Sequence, residues 1–362
     1  MREIRSSIAA IVCLLICIGI IMIYSSSGVY AQQELHDSFY FLKRHLLFLT
    51  VGSVLTFLIF LIDYRQLQKW VKPMVIASIV MLVLVLIPGI GKASYGARRW
   101  FHIGSFNFQP SEFAKIAMML YTADFLSRKK TLITDFRRGF IPPILLMGMV
   151  CVLIVKQPDL GTCVSIAAIV LSMMFVAGMR TSHLLSLLLL VSPAIYYLIF
   201  HVPYRFARIM AFLDPWEDSK GSGFQLIQSQ IALGSGGFFG VGLGKSMQKL
   251  FYLPAAHTDF ILSIIGEELG FVGAFTIIIL FMILIWQMAR IAKRTVNPFG
   301  YYLAVGVVAM IGLQAVVNIG VSIGALPTKG LPLPFISYGG SALIFNMVAI
   351  GLLLNVSRIE DQ

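Results

Sequence analysis

Apolar positions in this chain of 362 residues gather into ten long runs separated by polar connections. A helix needs about 20 apolar residues to cross a bilayer. The runs at 8–27, 45–63, 73–90, 110–126, 140–156, 159–178, 182–201, 258–289, 301–324 and 334–356 are of that order. They predict an all-α polytopic membrane protein of about ten transmembrane helices, folded as one integral membrane domain over residues 1–362. The connection 202–257 is far longer than an ordinary loop, and such loops are usually functional or disordered. Here Phe224, Leu226, Ile227, Ile231 and Leu233 follow helical spacing and predict a short interfacial helix. Gly234, Gly236, Gly237, Gly240, Gly242 and Gly244 then supply a pliable backbone suited to lining a groove closely. No P-loop or dinucleotide pattern accompanies them.

Composition supports the membrane reading. Hydrophobic residues make up 58% of the chain, charged residues 12%, and the mean hydropathy is +0.88. That is too much apolar surface for one soluble core. The opening Met1-Arg2-Glu3-Ile4-Arg5 before an apolar run resembles a secretory signal, but the run exceeds a usual h-region, so an uncleaved first helix is expected. Cys13, Cys17, Cys151 and Cys163 fall inside apolar runs without zinc-ligand spacing, and read as packing residues.

Ten spans put both termini on one side. With that side cytoplasmic, Arg2, Arg5, Arg65, Lys69, Lys72, Arg128, Lys129, Lys130, Arg137, Arg138, Arg180, Arg290, Lys293, Arg294 and Arg358 lie inside, 15 of the 28 basic residues. The positive-inside rule is satisfied. Yet Lys43, Arg44, Lys92, Arg98, Arg99, Lys156, Arg205, Arg208, Lys220, Lys245, Lys249 and Lys329 fall outside, and Lys115 lies within the fourth span. This outer excess has two explanations, contact with lipid headgroups or a site for an anionic substrate. The position of Arg98, Arg99, Lys115, Lys156, Arg205 and Arg208 near span ends favours the anion site.

Asp259 stands at the mouth of the eighth run, directly after the long connection. An ionisable group where hydrocarbon meets water is costly to keep and points to function. A carboxylate at the edge of a low-dielectric cavity can also be held at a pKa useful to a base. Arg98 and Arg99 offer bidentate phosphate contacts, and the adjacent Trp100 can cover a sugar or isoprenoid face. The alternative for all three is an interfacial anchor. Pro110 and Glu112 suit the first turn of a helix, and Glu112 and Lys115, three apart, can pair along one face. Asp159 is placed to cap the next helix, and Lys156 reaches either headgroups or an anion. Glu267 and Glu268 lie about 12 Å deeper than Asp259 at helical rise. On a helical wheel Glu267 is about 80° from Asp259 and Glu268 is opposite it. Both are candidates for a proton relay or for pairing with basic residues.

Read in order, Gly96-Ala97-Arg98-Arg99-Trp100, Gln109-Pro110-Ser111-Glu112, Lys156-Gln157-Pro158-Asp159-Leu160-Gly161, Leu253-Pro254 with His257-Thr258-Asp259-Phe260, Gly266-Glu267-Glu268-Leu269-Gly270, and Pro334 with Ser337-Tyr338-Gly339-Gly340 resemble the SEDS proteins. These are the RodA/FtsW/SpoVE polymerases of bacterial peptidoglycan, and the likeness covers nearly the whole chain. Trp216-Glu217-Asp218, Gln248-Lys249-Leu250 and Ile264-Ile265-Gly266-Glu267-Glu268-Leu269 look more like the cell-division branch, FtsW, than the elongation branch, RodA. Ala255 stands where the family commonly has an acidic residue, so no carboxylate role is carried to that position.

The resemblance implies a glycosyltransferase that polymerises lipid II, a disaccharide-pentapeptide on undecaprenyl pyrophosphate, at the outer face of the bacterial cytoplasmic membrane and, on the division reading, at the septum. It maps the essential aspartate onto Asp259 and an important loop tryptophan onto Trp100. Lys249, His257 and Ser337 join the basic residues above as candidate substrate contacts. A class B penicillin-binding protein, which is a transpeptidase, and further division proteins are the implied partners. Membrane lipids surround the chain, and neither nucleotide sugar nor nucleic acid is needed. The resemblance fixes no cofactor, and a divalent cation, Mg2+ or Mn2+, would suit a leaving pyrophosphate. Two rivals stand beside this reading. One is a transporter that flips the lipid-linked precursor, although no inverted repeat or paired broken helices are visible. The other is a scaffold that only recruits the transpeptidase.

Overall fold

The computed structural model describes residues 1–94, 97–104, 106–129, 132–250, 252–254 and 256–361, with backbone alone at 92–94, 103 and 106. Gly96, Lys130 and Ala255 lie outside the described residues, as does the Lys92 side chain. The elements in order are α1 Arg2–Leu35, α2 Tyr40–Leu61, α3 Tyr64–Leu84, β1 Lys92–Ser94, β2 Ala97–Ile103, β3 Phe106–Phe108, α4 Pro110–Lys129, α5 Ile141–Val155, α6 Leu160–Val176, α7 Thr181–Phe200, α8 Pro203–Leu213, α9 Phe224–Ser235, α10 Ile261–Arg294, α11 Pro298–Ser322 and α12 Gly340–Ile359. A π-helical turn, Phe136–Phe140, leads directly into α5.

Eight helices among the described residues are long and apolar enough to cross a membrane: α1, α2, α3, α5 with its π-helical turn, α7, α10, α11 and α12. The shorter apolar helix α6 joins them. So does α4, whose buried Glu112 and Lys115 make it more polar and which packs between α3, α6 and α11. Each of the ten apolar runs therefore coincides with one of ten helices. Local chemistry sets several of the starts. Asp63 accepts from the Arg65 N–H, Asp159 from the Thr162 N–H, and Asn297 from the Phe299 and Gly300 N–H groups, each satisfying otherwise orphaned donors.

The two termini meet. The Met1 amino group lies 3.5 Å from Asp361, and Arg5 lies 3.1 Å from the same carboxylate. Nearby, Asn355 of α12 clasps the α2–α3 corner, donating to the carbonyls of Ile59 and Phe60 at 3.0 and 2.8 Å and accepting from the Tyr64 N–H at 3.0 Å. Arg290 and Arg294, at the end of α10, share a cleft with Met1 and Arg2. Since α10 runs from just after Asp259 to these arginines, Asp259 sits at the opposite end of the bundle from the termini.

Several expectations change. The segment 92–108, read as an outer loop, forms a three-stranded antiparallel sheet in the order β1-β2-β3, with Phe101 opposite Phe108 and His102 opposite Asn107. The connection after α7 holds two helices rather than one. The predicted helix is α9, and it docks on α10 and α11: Ser229 is buried, 2.6 Å from Ser263, and donates to the Ser322 carbonyl. Cys13 and Cys17 face outward and are not packing residues.

The eighth run is also not one straight helix. It starts at Ile261 rather than 258 and breaks at Gly270, where φ is 69° and ψ −167°. The wheel relation between Asp259, Glu267 and Glu268 therefore does not hold, because Asp259 precedes the helix. The glycine-rich segment serves this break rather than lining a groove. Val241 and Gly242 donate to the freed carbonyls of Glu267 and Glu268, while Phe271 and Val272 donate to Gly237 and Phe238. Irregular backbone inside a membrane protein is tolerated when protein groups satisfy it in this way. A Cβ on Gly270 would fall 2.3 Å from the Gly240 nitrogen, and the local φ disfavours any side chain. Gly270→Ala is expected to destabilise by at least about 2 kcal/mol, read as a lower unfolding temperature in detergent.

Candidate active site

A cavity of about 770 Å³ opens at the Asp259 end of the bundle. Its walls come from distant parts of the chain, which is how a polytopic bundle makes a site from loops. α8 contributes Tyr204, Arg205 and Arg208, β2 contributes Arg99 and Trp100, and the turn before α6 contributes Pro158 and Asp159. Thr258 and Asp259 form its floor with the turn 327–332. Arg44 and Phe48 of α2 close one side with Tyr338, Gly339 and Gly340. On the other side Ile195, Leu198 and Ile199 belong to α7, an outlying helix that packs mainly on α8 and whose Leu189 and Leu190 are 78% and 76% exposed.

Asp259 is held by its main chain. Asn318 donates from Nδ2 to the Asp259 carbonyl at 2.8 Å and to the Leu331 carbonyl at 2.8 Å, tying this residue to the adjacent turn. Gly330 packs so closely that a Cβ there would lie 3.5 Å from Asp259 Oδ2. Protein crowds the carboxyl on nearly every side while leaving part of it open to the cavity. Burial pushes its acid up to about 6, and the positive charge of Arg208 pulls the other way. Among the described residues Asp259 is in no ion pair. It is a carboxylate with a raised pKa that faces an open space, which is the condition of a general base.

The other cavity carboxylates are engaged. Glu112 lies 2.9 Å from Lys115 Nζ in a buried pair. Asp159 accepts from the Thr162 N–H and hydroxyl and from Gln109 Nε2. With only one disengaged carboxylate, and no group of three His, Cys, Asp or Glu side chains suited to a metal among the described residues, the side chains present do not fit a protein-built metal centre.

The basic candidates divide. Arg205 and Arg208 line the cavity; Arg208 lies over the Tyr204 ring, 4.4 Å from its centroid, and donates to the Thr328 carbonyl at 3.2 Å. Arg99 lines it too, but its guanidinium holds the carbonyls of Gln157 and Pro158 and so fixes the turn before α6. Trp100 faces the same space. Arg98 does not line the cavity, and its Nη1 lies 3.5 Å from the Leu86 carbonyl. Lys115 is buried against Glu112, and Lys156 is exposed outside the cavity. Lys249 is buried 2.7 Å from Glu268 and 3.1 Å from Ser25 of α1. Ser337 accepts from the Leu333 N–H, shaping its own turn. His257 packs among Phe41, Tyr30 and Tyr338, with ring centroids 4.5, 6.2 and 5.8 Å away. Burial lowers its acid to about 4, leaving it neutral. These last residues are corrected from substrate contacts to supports of the site.

Glu267 and Glu268 are likewise structural. Glu267 accepts from the Ser246 hydroxyl and the Met247 N–H, and Glu268 accepts from Lys249 and Ser25. Two cavity cations were missing from the candidate set, Arg44 and Lys329. Burial lowers the Lys329 ammonium from the usual lysine range. Both belonged to the outer basic excess, so the signal was present in the sequence, but only the fold brings them to the site.

Comparison with known proteins agrees with this architecture. The family model described as cell cycle protein, FTSW_RODA_SPOVE, matches residues 5–362. The probable peptidoglycan glycosyltransferase FtsW of Geobacter metallireducens is 46% identical over 343 residues, covering 95% of this chain and 92% of that one. Stage V sporulation protein E of Bacillus subtilis is 47% identical over 345 residues, covering 95% and 94%. A chain of a peptidoglycan synthase complex, studied for the structural coordination of polymerization and crosslinking, matches with a TM-score of 0.81 at 32% identity, over 98% of both chains. The rod shape determining protein RodA of Thermus thermophilus matches at 0.71 and 28% identity, over 98% of this chain and 97% of that one. With the whole bundle and nearly the whole sequence shared, this chain belongs to the FtsW/RodA/SpoVE family of cell cycle proteins.

Proposed function

We propose that this chain is a peptidoglycan glycosyltransferase that polymerises lipid II at the outer face of the bacterial cytoplasmic membrane, with a class B penicillin-binding protein as partner and the division septum as its place. The observation that carries the reading is Asp259, a carboxylate outside any ion pair among the described residues, in a cavity that also holds Arg44, Arg99, Arg205, Arg208 and Lys329. The termini and Arg65, Arg290 and Arg294 gather at the other end of the bundle, which the positive-inside rule assigns to the cytoplasm. That orientation turns the cavity outward.

The reaction follows from the groups present. Asp259 takes the proton of the acceptor's 4-hydroxyl as that oxygen attacks the donor's anomeric carbon. The C–O bond to pyrophosphate breaks, and undecaprenyl pyrophosphate leaves with the electron pair. An α bond is replaced by a β bond, so one inverting displacement suffices, with a single base opposite the leaving group. Arg205, Arg208 and Lys329 face the charge that develops on the pyrophosphate. The apolar wall given by Ile195, Leu198 and Ile199 of α7 suits the lipid tail.

Because Asp259 titrates near 6, the base is protonated below that pH and available above it. Strand synthesis from purified complex and lipid II should therefore rise through pH 6 and level off by about pH 7. A rate independent of pH between 5 and 7 would remove Asp259 as the base. The transporter reading loses its proton relay, since Glu267 and Glu268 are both engaged in the loop that caps α10. Labelled lipid II in vesicles that crossed the bilayer without being polymerised would revive it.

A further inference from the structure

Arg44 is a cavity cation to which the displacement assigns no task, and it stands on a different helix from Arg205 and Arg208. It lies on α2, donates to the Tyr40 hydroxyl at 2.7 Å and sits 5.5 Å from the centroid of that ring. α2 packs on α12 and α1, whereas α8, with Arg205 and Arg208, packs on α7. The charge of Arg208 reaches Asp259, while that of Arg44 reaches Tyr338.

The chemistry asks for two separated anion sites. In the donor sugar, the pyrophosphate is bonded to the carbon under attack, so it lies across that one carbon from the base. In the acceptor, the reacting hydroxyl and the pyrophosphate are at opposite ends of a disaccharide. The acceptor thus needs a cation set back from Asp259 by one disaccharide, with a surface between them on which sugars can rest. Tyr338 lines the cavity too, and the charge of Arg44 reaches it. Its N–H donates to the His257 carbonyl at 2.9 Å, two residues from Asp259, and its ring packs edge-on against Phe41 at 5.2 Å. Its position relative to the base is fixed.

We propose, resting on the polymerase reading, that Arg44 and Tyr338 form the acceptor subsite. Arg44 binds the pyrophosphate of the incoming lipid-linked disaccharide, Tyr338 carries its sugars, and the 4-hydroxyl arrives at Asp259. Arg205 and Arg208 hold the pyrophosphate of the donor strand. After transfer the lengthened strand hangs on the lipid at Arg44 and must cross to the α8 side before the next addition.

The test is steady-state kinetics of the complex with its transpeptidase partner in liposomes, with lipid II varied, for wild type, Arg44→Gln, Arg44→Lys and Arg208→Gln. Arg44→Gln should raise the KM for lipid II about tenfold with kcat within about threefold, as loss of a charged hydrogen-bonding contact predicts. Arg44→Lys should fall between it and wild type, and Arg208→Gln should lower kcat instead. An Arg44→Gln enzyme with unchanged KM, or with reduced kcat at unchanged KM, overturns the subsite. So does a KM defect that disappears in liposomes without anionic phospholipid, because Arg44 would then be holding a bilayer headgroup. A wild-type complex that makes no strands removes the polymerase reading and the subsite with it, whereas unchanged KM beside an active wild type removes the subsite alone.

Discussion

Asp259→Asn should lower strand synthesis by between about a hundredfold and ten-thousandfold while raising the unfolding temperature. The first effect follows because an amide of the same shape cannot accept the hydroxyl proton. The second follows from linkage. Burial raises the Asp259 acid from 3.8 to about 6, so the folded state binds this proton more tightly than the unfolded chain does. The associated stability is present below pH 3.8 and is lost as pH rises through 6. At neutral pH the folded protein therefore holds an ionised carboxylate at a cost that asparagine avoids. The main chain at this position is kept by Asn318 whichever side chain is present, so the variant remains folded. Thermal unfolding in detergent and strand gels on one preparation measure both effects. A variant that is less stable than wild type and inactive would point to a structural carboxylate rather than a base.

The sequence made the bundle legible because bilayer thickness imposes a single length on every span, and apolar runs of that length are easy to find. It made Asp259 legible because a carboxylate at the edge of hydrocarbon has few structural reasons to be there. The pairing of Glu112 with Lys115 and the capping by Asp159 were readable from spacing alone. What stayed hidden depended on contacts between residues far apart in the chain. Lys249 and Arg208 look alike in sequence, yet one is matched by Glu268 and the other faces the cavity. The break at Gly270 was invisible because its replacement hydrogen bonds come from residues 237–242, about 30 positions earlier. The small sheet was hidden because its strands are short and Ala97–Ile103 carries no regular polar and apolar alternation. Arg44 and Lys329 were read only as members of a basic excess, since nothing local distinguishes a cavity cation from a headgroup contact.

The buried pair between Lys249 and Glu268 gives the second large effect. Their side chains are 5% and 0% exposed and 2.7 Å apart, with Ser25 of α1 bonded to both. The pair pins the segment after the glycine-rich stretch to α1 and to the short first half of α10, whose entrance carries Asp259. Glu268→Ala strands the Lys249 ammonium in a place without water and should cost about 3–5 kcal/mol, seen as a large fall in unfolding temperature and little folded protein. Replacing both partners by methionine removes the charges together and keeps much of the volume. Replacing a buried pair by apolar residues of similar size is often neutral or stabilising. The double variant should therefore regain most of the lost stability, and strand synthesis should return with it, since neither residue touches the cavity. Were the double variant stable yet inactive, the pair would have a chemical task, and the proton-relay reading of Glu268 or the substrate-binding reading of Lys249 would be restored. A return of both stability and synthesis identifies the pair as the clasp that holds the Asp259 segment in place.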